Sequence, residues 1–296
     1  MDEKTAHDLR SLFRALGSFS LRSSLTSQLE ARKDCVMPVT LLDDAPLKVT
    51  CAPLEVSGFI DGIQAALCVT YIEHRPVYLV YASAGAVDGE GKLVDTAEKI
   101  ALVVSKKDRQ WVESLGTTVE CIDLPAFRPD ELASAALVQL GDERNNLEKA
   151  LISKMFADGH SSLLVDGSVL GKTVRRELVG VVKTTRTRYL PDESLLWKLA
   201  KGWRSQRFLI PVGSNGCPVD RYSCYVRMQD ASAQAWDFGL VRLESFDLDL
   251  LDPLAALALS EKQHATSRDR RFDKHLAGVR AIEDILRARR PSVYSM

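Results

Sequence analysis

Several features are missing from this chain of 296 residues. No stretch approaches the ~20 consecutive apolar residues needed to cross a bilayer; the most apolar runs, such as Leu79 to Val87, are broken well before that. The opening MDEKTAHDLR is acidic and polar, without the apolar core of a secretory signal, so a cytoplasmic protein is expected. Six cysteines are present but none forms a C-x-x-C pair, which signals neither a zinc ribbon nor a disulfide framework; they read as small buried hydrophobes. Five histidines include no H-x-H or H-E-x-x-H, and no G-x-S-x-G occurs, leaving zinc peptidases and serine hydrolases unsupported. Net charge is also scarce. With 39 Lys and Arg against 40 Asp and Glu, the chain does not coat nucleic acid with its whole surface, although a local basic face remains open.

The rest is ordinary globular composition, 46% hydrophobic and 27% charged. Residues 1–52 read as a helical accessory arm, with Leu9, Leu12, Phe13 and Leu16 at helical spacing. Three strands follow in GFIDGIQAALCVTYI, PVYLVYASAGAV and KIALVVS, with turn signals at 88–92. KKDRQWVESLG reads as a short helix and Pro129 to about Phe156 as a long one. SSLLVDGS and RELVGVVKTT read as strands, PDESLLWKLAKGWRSQ as a helix, and RFLIPV, YSCYVRM and FGLVRLES as late strands. Helical sequence runs from about Pro253 to Arg289. This order predicts an α/β fold with a mixed sheet flanked by helices: an arm over 1–52, a core over 53–250 and a C-terminal helical region over 251–296.

Three carboxylates stand in apolar surroundings. Asp61 interrupts GFIDGIQAAL and Asp166 ends LLVDG. A buried carboxylate is costly unless cations or hydrogen bonds compensate it; the plainer alternative is that each opens an Asp-Gly turn at a strand end. Glu148 lies on its helix among Leu151, Ile152 and Met155, on the apolar stripe, where Arg144 at i−4 offers a simple partner. Two strand carboxylates and one helix carboxylate suit Mg²⁺ or Mn²⁺, a pair of which lies ~3.5–4 Å apart in two-metal phosphodiester hydrolysis. Lys183, ending LVGVVK, is placed to stabilise phosphate charge. Residues 172–207 carry ten basic and three acidic residues, a net +7. Lys172, Arg175, Arg176, Arg186, Arg188, Lys201 and Arg204, interleaved with Tyr189, Trp197 and Trp203, read either as a solvated face or as a track for a phosphate backbone. Gly171-Lys172-Thr173 imitates the end of a phosphate loop, but Asp166 stands where its first glycine is required.

The trio IDG at 60–62, LLVDGS at 163–168 after a glutamate-bearing helix, and VGVVK at 179–183, followed by CYVRM and WDFGLVRLE, resembles the NurA nuclease family over roughly residues 55–280. The resemblance implies an RNase H-like core, a homodimer and Mn²⁺- or Mg²⁺-dependent cleavage of DNA. That cleavage would be exonucleolytic, with possible endonuclease activity, in end resection or anti-phage defence. It also implies partnership with a HerA-like hexameric ATPase. Carried across position by position, Asp61 and Asp166 match the metal-binding aspartates, Glu148 the helix carboxylate and Lys183 the strand lysine. A C-terminal histidine corresponds to His264 or, second, His275. The alternative is a catalytically silent scaffold of the same fold that binds DNA or the ATPase, and a nuclease directed at RNA is a third reading.

Overall fold

The computed structural model describes residues 37–114, 120–125, 128–183, 187, 189–213, 218–231, 235–261 and 272–290. The predicted helix near the N-terminus lies outside them. The centre of the molecule is a mixed sheet built on three long antiparallel strands, β3 (Gly58–Ile72), β4 (Arg75–Asp88) and β5 (Leu93–Ser105). Glu73 and His74 join β3 to β4 with φ of 45° and 70°, the left-handed pair that a two-residue hairpin turn requires. At the next turn Asp88 accepts hydrogen bonds from the amides of Glu90 and Lys92, as the Asp-Gly signals led one to expect.

β7 (Leu163–Asp166) adds to β3 in parallel, and β8 (Leu178–Val182) adds to β7 in parallel. The sheet continues antiparallel through β12 (Leu240–Ser245), β11 (Arg221–Arg227), β10 (Phe208–Ile210) and β1 (Thr40–Leu41), while β6 (Glu120–Leu124) closes the far edge. β2 (Leu47–Lys48) pairs with β9 (Trp203–Arg204), which pairs with β11. Thr40–Leu41 and Leu47–Lys48 therefore belong to the sheet and not to a helical arm.

After the short helix α1 (Arg109–Ser114), the long helix α2 (Pro129–Ala157) starts on Pro129 and a Glu131 side chain that accepts from the Arg128 amide. It lays Leu132, Ala136, Leu140, Ile152 and Met155 on one face of the sheet. The other face is covered by α4 (Leu251–Ser260) and α5 (Ala277–Arg289), whose Leu254, Val279, Ile282 and Leu286 pack with Phe59, Val87, Leu164 and Val181. Covered on both faces, β4 is buried without interruption from Pro76 to Val87. The helix expected over 191–206 is reduced to α3 (Ser194–Trp197), because Gly202 turns left-handed at φ 80° and the chain then enters β9. No helix among the described residues is long and apolar enough to cross a membrane. Of the cysteines, Cys68 and Cys224 are buried as expected, Cys121 is half-buried, and Cys51 is exposed, contrary to expectation; Cys35 and Cys217 lie outside the described residues.

Candidate metal centre

Asp61 does not end a strand; it lies inside the fifteen-residue β3. The parallel register pairs Ile60 with Val165, so the next residues along, Asp61 and Asp166, are neighbours on adjacent strands. Alternation sends both to one face, the face of α5: opposite Asp61 stands Gly85, whose missing side chain would meet Ile282 and Leu286. From α5, Glu283 reaches the same spot. Carboxylate oxygens of Asp61, Asp166 and Glu283 all lie within 4.8 Å of one another, with Asp61 and Glu283 buried and Asp166 partly exposed.

Asp166 is paired with Val181, two residues before Lys183 on the same side of β8. The Lys183 ammonium accordingly donates to Asp166 Oδ2 at 2.7 Å and stands 3.9 Å from Glu283 Oε1. Glu283 also ion-pairs with Arg287 at 3.0 Å, and the Gly62 amide donates to Asp61 Oδ1 at 2.7 Å. Three carboxylates thus share one buried lysine. Burial first, and then the charge of Asp166, hold the Asp61 carboxyl well above the usual carboxylate range; Lys183 opposes this while Glu283 and Glu148 add to it.

Glu148 is buried as its place on the apolar stripe predicted, but it does not join this group. It approaches β3 from the α2 face, where a side chain at Gly62 would meet its Oε1. There Lys172 forms a short ion pair with Oε2, Arg144 Nε lies 3.5 Å from Oε1, and Lys172 also donates to Asn145 at 3.0 Å. Burial draws the Lys172 ammonium below its ordinary value, against the pull of Glu148. The predicted trio is therefore replaced by Asp61, Asp166 and Glu283.

His264 lies outside the described residues. His275 is buried just before α5. Two members of the expected phosphate track are corrected. Lys172 is consumed by Glu148, and Arg204 is a fully buried side chain paired with Asp43 at 2.6 Å and with Asp252; neither faces a ligand. Arg175 and Arg176 are exposed, the first 5.2 Å above the Phe156 ring and the second 2.6 Å from Asp247. Lys201 is exposed. Arg186 and Arg188 lie outside the described residues.

Three carboxylate oxygens at this spacing could hold a divalent cation, the donor type that hard cations favour. No protein-family model and no curated protein matches this chain.

Proposed function

We propose that the chain is a metal-dependent deoxyribonuclease with an RNase H-like core, in which Asp61, Asp166 and Glu283 hold Mg²⁺ or Mn²⁺. The observation that carries this reading is the convergence of three carboxylates from β3, β7 and α5 within 4.8 Å around a single lysine. An α/β sheet in which three antiparallel strands lead, by way of α1, the edge strand β6 and the long helix α2, to a strand added in parallel beside the first supports the RNase H-like reading. A bound ion would lower the pKa of a water and stabilise charge on the phosphodiester. Asp61 and Glu283, sunk in the core, and the partly exposed Asp166 would together hold the ion, with Asp166 on the solvent side, where a strand would approach. Lys183 orients the Asp166 carboxylate through a 2.7 Å hydrogen bond, and its ammonium would present positive charge beside the developing phosphate charge. Exposed Arg175, Arg176 and Lys201 provide the backbone contacts. A homodimer working with a HerA-like hexameric ATPase in end resection or defence belongs to the same reading.

A catalytically silent scaffold is the second reading, favoured by one observation: Lys183 already bonds Asp166 and Lys172 already bonds Glu148. Digestion of linear DNA by the purified chain in Mn²⁺, Mg²⁺ or EDTA separates the two, with and without a HerA-like ATPase and with a matched RNA in parallel. The nuclease reading expects cation-dependent cleavage of DNA that Asp61→Ala, Asp166→Ala and Glu283→Gln remove; cleavage unchanged by all three sinks it, and absence of cutting with the ATPase present supports the scaffold.

A further inference from the structure

Glu244 carries a negative charge at a place where charge is expensive. It is completely buried on β12, and its partner across the ladder on β8 is Gly180. The absent side chain at Gly180 leaves a passage over β8, since a Cβ there would fall 2.5 Å from the Gly167 carbonyl oxygen and 3.1 Å from Val169. Through it the Glu244 carboxylate reaches the turn that follows Asp166. Oε2 accepts a short hydrogen bond from the Ser168 hydroxyl and a 3.0 Å bond from the Val169 amide. Oε1 accepts from Arg221 Nη1 at 3.1 Å and, in a short contact, from Arg242 Nη1. Arg242 in turn lies 4.5 Å over the Tyr189 ring. Ser168 closes the turn on itself by accepting from the Leu170 amide at 3.0 Å, and Gly167, at φ 115°, donates to the Val181 carbonyl at 2.8 Å.

A buried charged group of this kind does not out-stabilise well-packed apolar side chains, so stability alone gives no reason for it. Its geometry does. Asp166 is the last residue of β7; Lys183 bonds its carboxylate and the Gly167 amide makes the last bond to β8, and beyond that point the turn through Ser168 and Val169 is tied to Glu244.

We infer that Glu244 is a positioning residue for Asp166: bridging from β12 under the glycine at 180, it anchors the turn after β7 and so sets the Asp166 carboxylate against Asp61, Glu283 and Lys183. This rests on the metal-site reading above.

Two variants leave the fold's charge or packing nearly intact. Glu244→Asp keeps the charge but withdraws it from Ser168 and Val169, and Ser168→Ala removes one anchor only. In the full chain, Mn²⁺ binding is followed by calorimetry, and amide hydrogen exchange of the metal-free chain is followed over residues 163–170. Both variants are expected to speed exchange at the Gly167 and Val169 amides and to weaken Mn²⁺ binding ~10- to 100-fold, the scale of groups that orient a metal ligand, with circular dichroism unchanged. Exchange unchanged in both variants overturns the role, and so does faster exchange with Mn²⁺ affinity unaltered, since the turn would then not govern the site. A wild-type chain that binds no Mn²⁺ overturns the metal-site reading together with the positioning role, whereas unaltered binding in the variants removes the positioning role alone.

Discussion

On the α5 face of the sheet three carboxylates share one lysine; on the α2 face a single carboxylate, Glu148, is met by Arg144 and by Lys172, which also donates to Asn145. The two groups lie back to back across Asp61 and Gly62, adjacent residues of one strand. Asp61 and Glu283 on one face and Glu148 on the other are buried acids on apolar elements, and burial alone does not tell them apart. What separates them is charge balance: on the α2 face two cations, Lys172 and Arg144, attend one carboxylate, whereas on the α5 face Lys183 and Arg287 attend three, the condition in which a cation has most to offer.

The sharpest way to break this comparison is to ask which face does the chemistry. Asp61→Ala or Asp166→Ala is expected to lower metal-dependent cleavage about 10³-fold or more, a loss between that of one charge-stabilising donor and that of a whole catalytic unit. Glu148→Gln is expected to lower it less than about tenfold, in steady-state digestion of the same DNA. Equal losses would make the two faces one site.

Next in size is a stability effect of opposite distribution. Glu148→Gln strands the buried Lys172 charge and is expected to cost about 3–5 kcal/mol in denaturant unfolding, while Glu148→Gln combined with Lys172→Met returns to near the wild-type value. On the α5 face removing a charge does the reverse. The Asp61 carboxyl is held above its ordinary 3.8, so as pH rises the unfolded chain gives up this proton first and the metal-free fold loses stability through the interval above about pH 4. Asp61→Asn abolishes that loss. In EDTA its Tm is expected to exceed that of wild type by at least ~2 °C at neutral pH, roughly 1 kcal/mol for a chain of this size, with the gap widening as pH rises and closing when Mg²⁺ is added. A Tm below wild type at every pH would show that the α5 group is already balanced.

The smallest effect lies at a third acid. Burial opposes ionisation of Asp43, but hydrogen bonds from Arg207 and the charge of Arg204 bring its pKa down to about 2. Its stabilisation is therefore complete above about pH 4 and is lost as pH falls toward 2; Asp43→Asn is expected to flatten that acid limb of a Tm–pH profile and leave cleavage unchanged.

Much of the order of strands along the chain was legible because short apolar runs and Asp-Gly turns mark local geometry, and the long helix announced itself through Pro129 and its apolar stripe. Asp61 and Asp166 stood out because each interrupts an apolar run. Glu283 did not. In AIEDILRARR it reads as half of an i,i+4 pair with Arg287, and the pair does form. Yet Val279, Ile282 and Leu286 flank it on the buried stripe, the same pattern that singled out Glu148, and that criterion applied to the last helix would have found it. The helix over 191–206 was overread for a different reason: apolar spacing there is helical, but left-handed Gly202 and the pairing of Trp203–Arg204 with β2 and β11 win over it. Pairings between strands distant in sequence, β12 with β8 or β2 with β9, left no local trace, and with them went the burial of Arg204 and Glu244.

That Glu283 comes from α5, 117 positions beyond Asp166 and 222 beyond Asp61, has a consequence for how the protein is made. A growing chain can lay down β3, β7 and β8 and bring both aspartates side by side well before the third oxygen donor exists. Until α5 docks over Phe59 and Gly85, the centre lacks one of its three oxygen donors, so under the proposed nuclease activity competence would arrive only with the closing of the last helix.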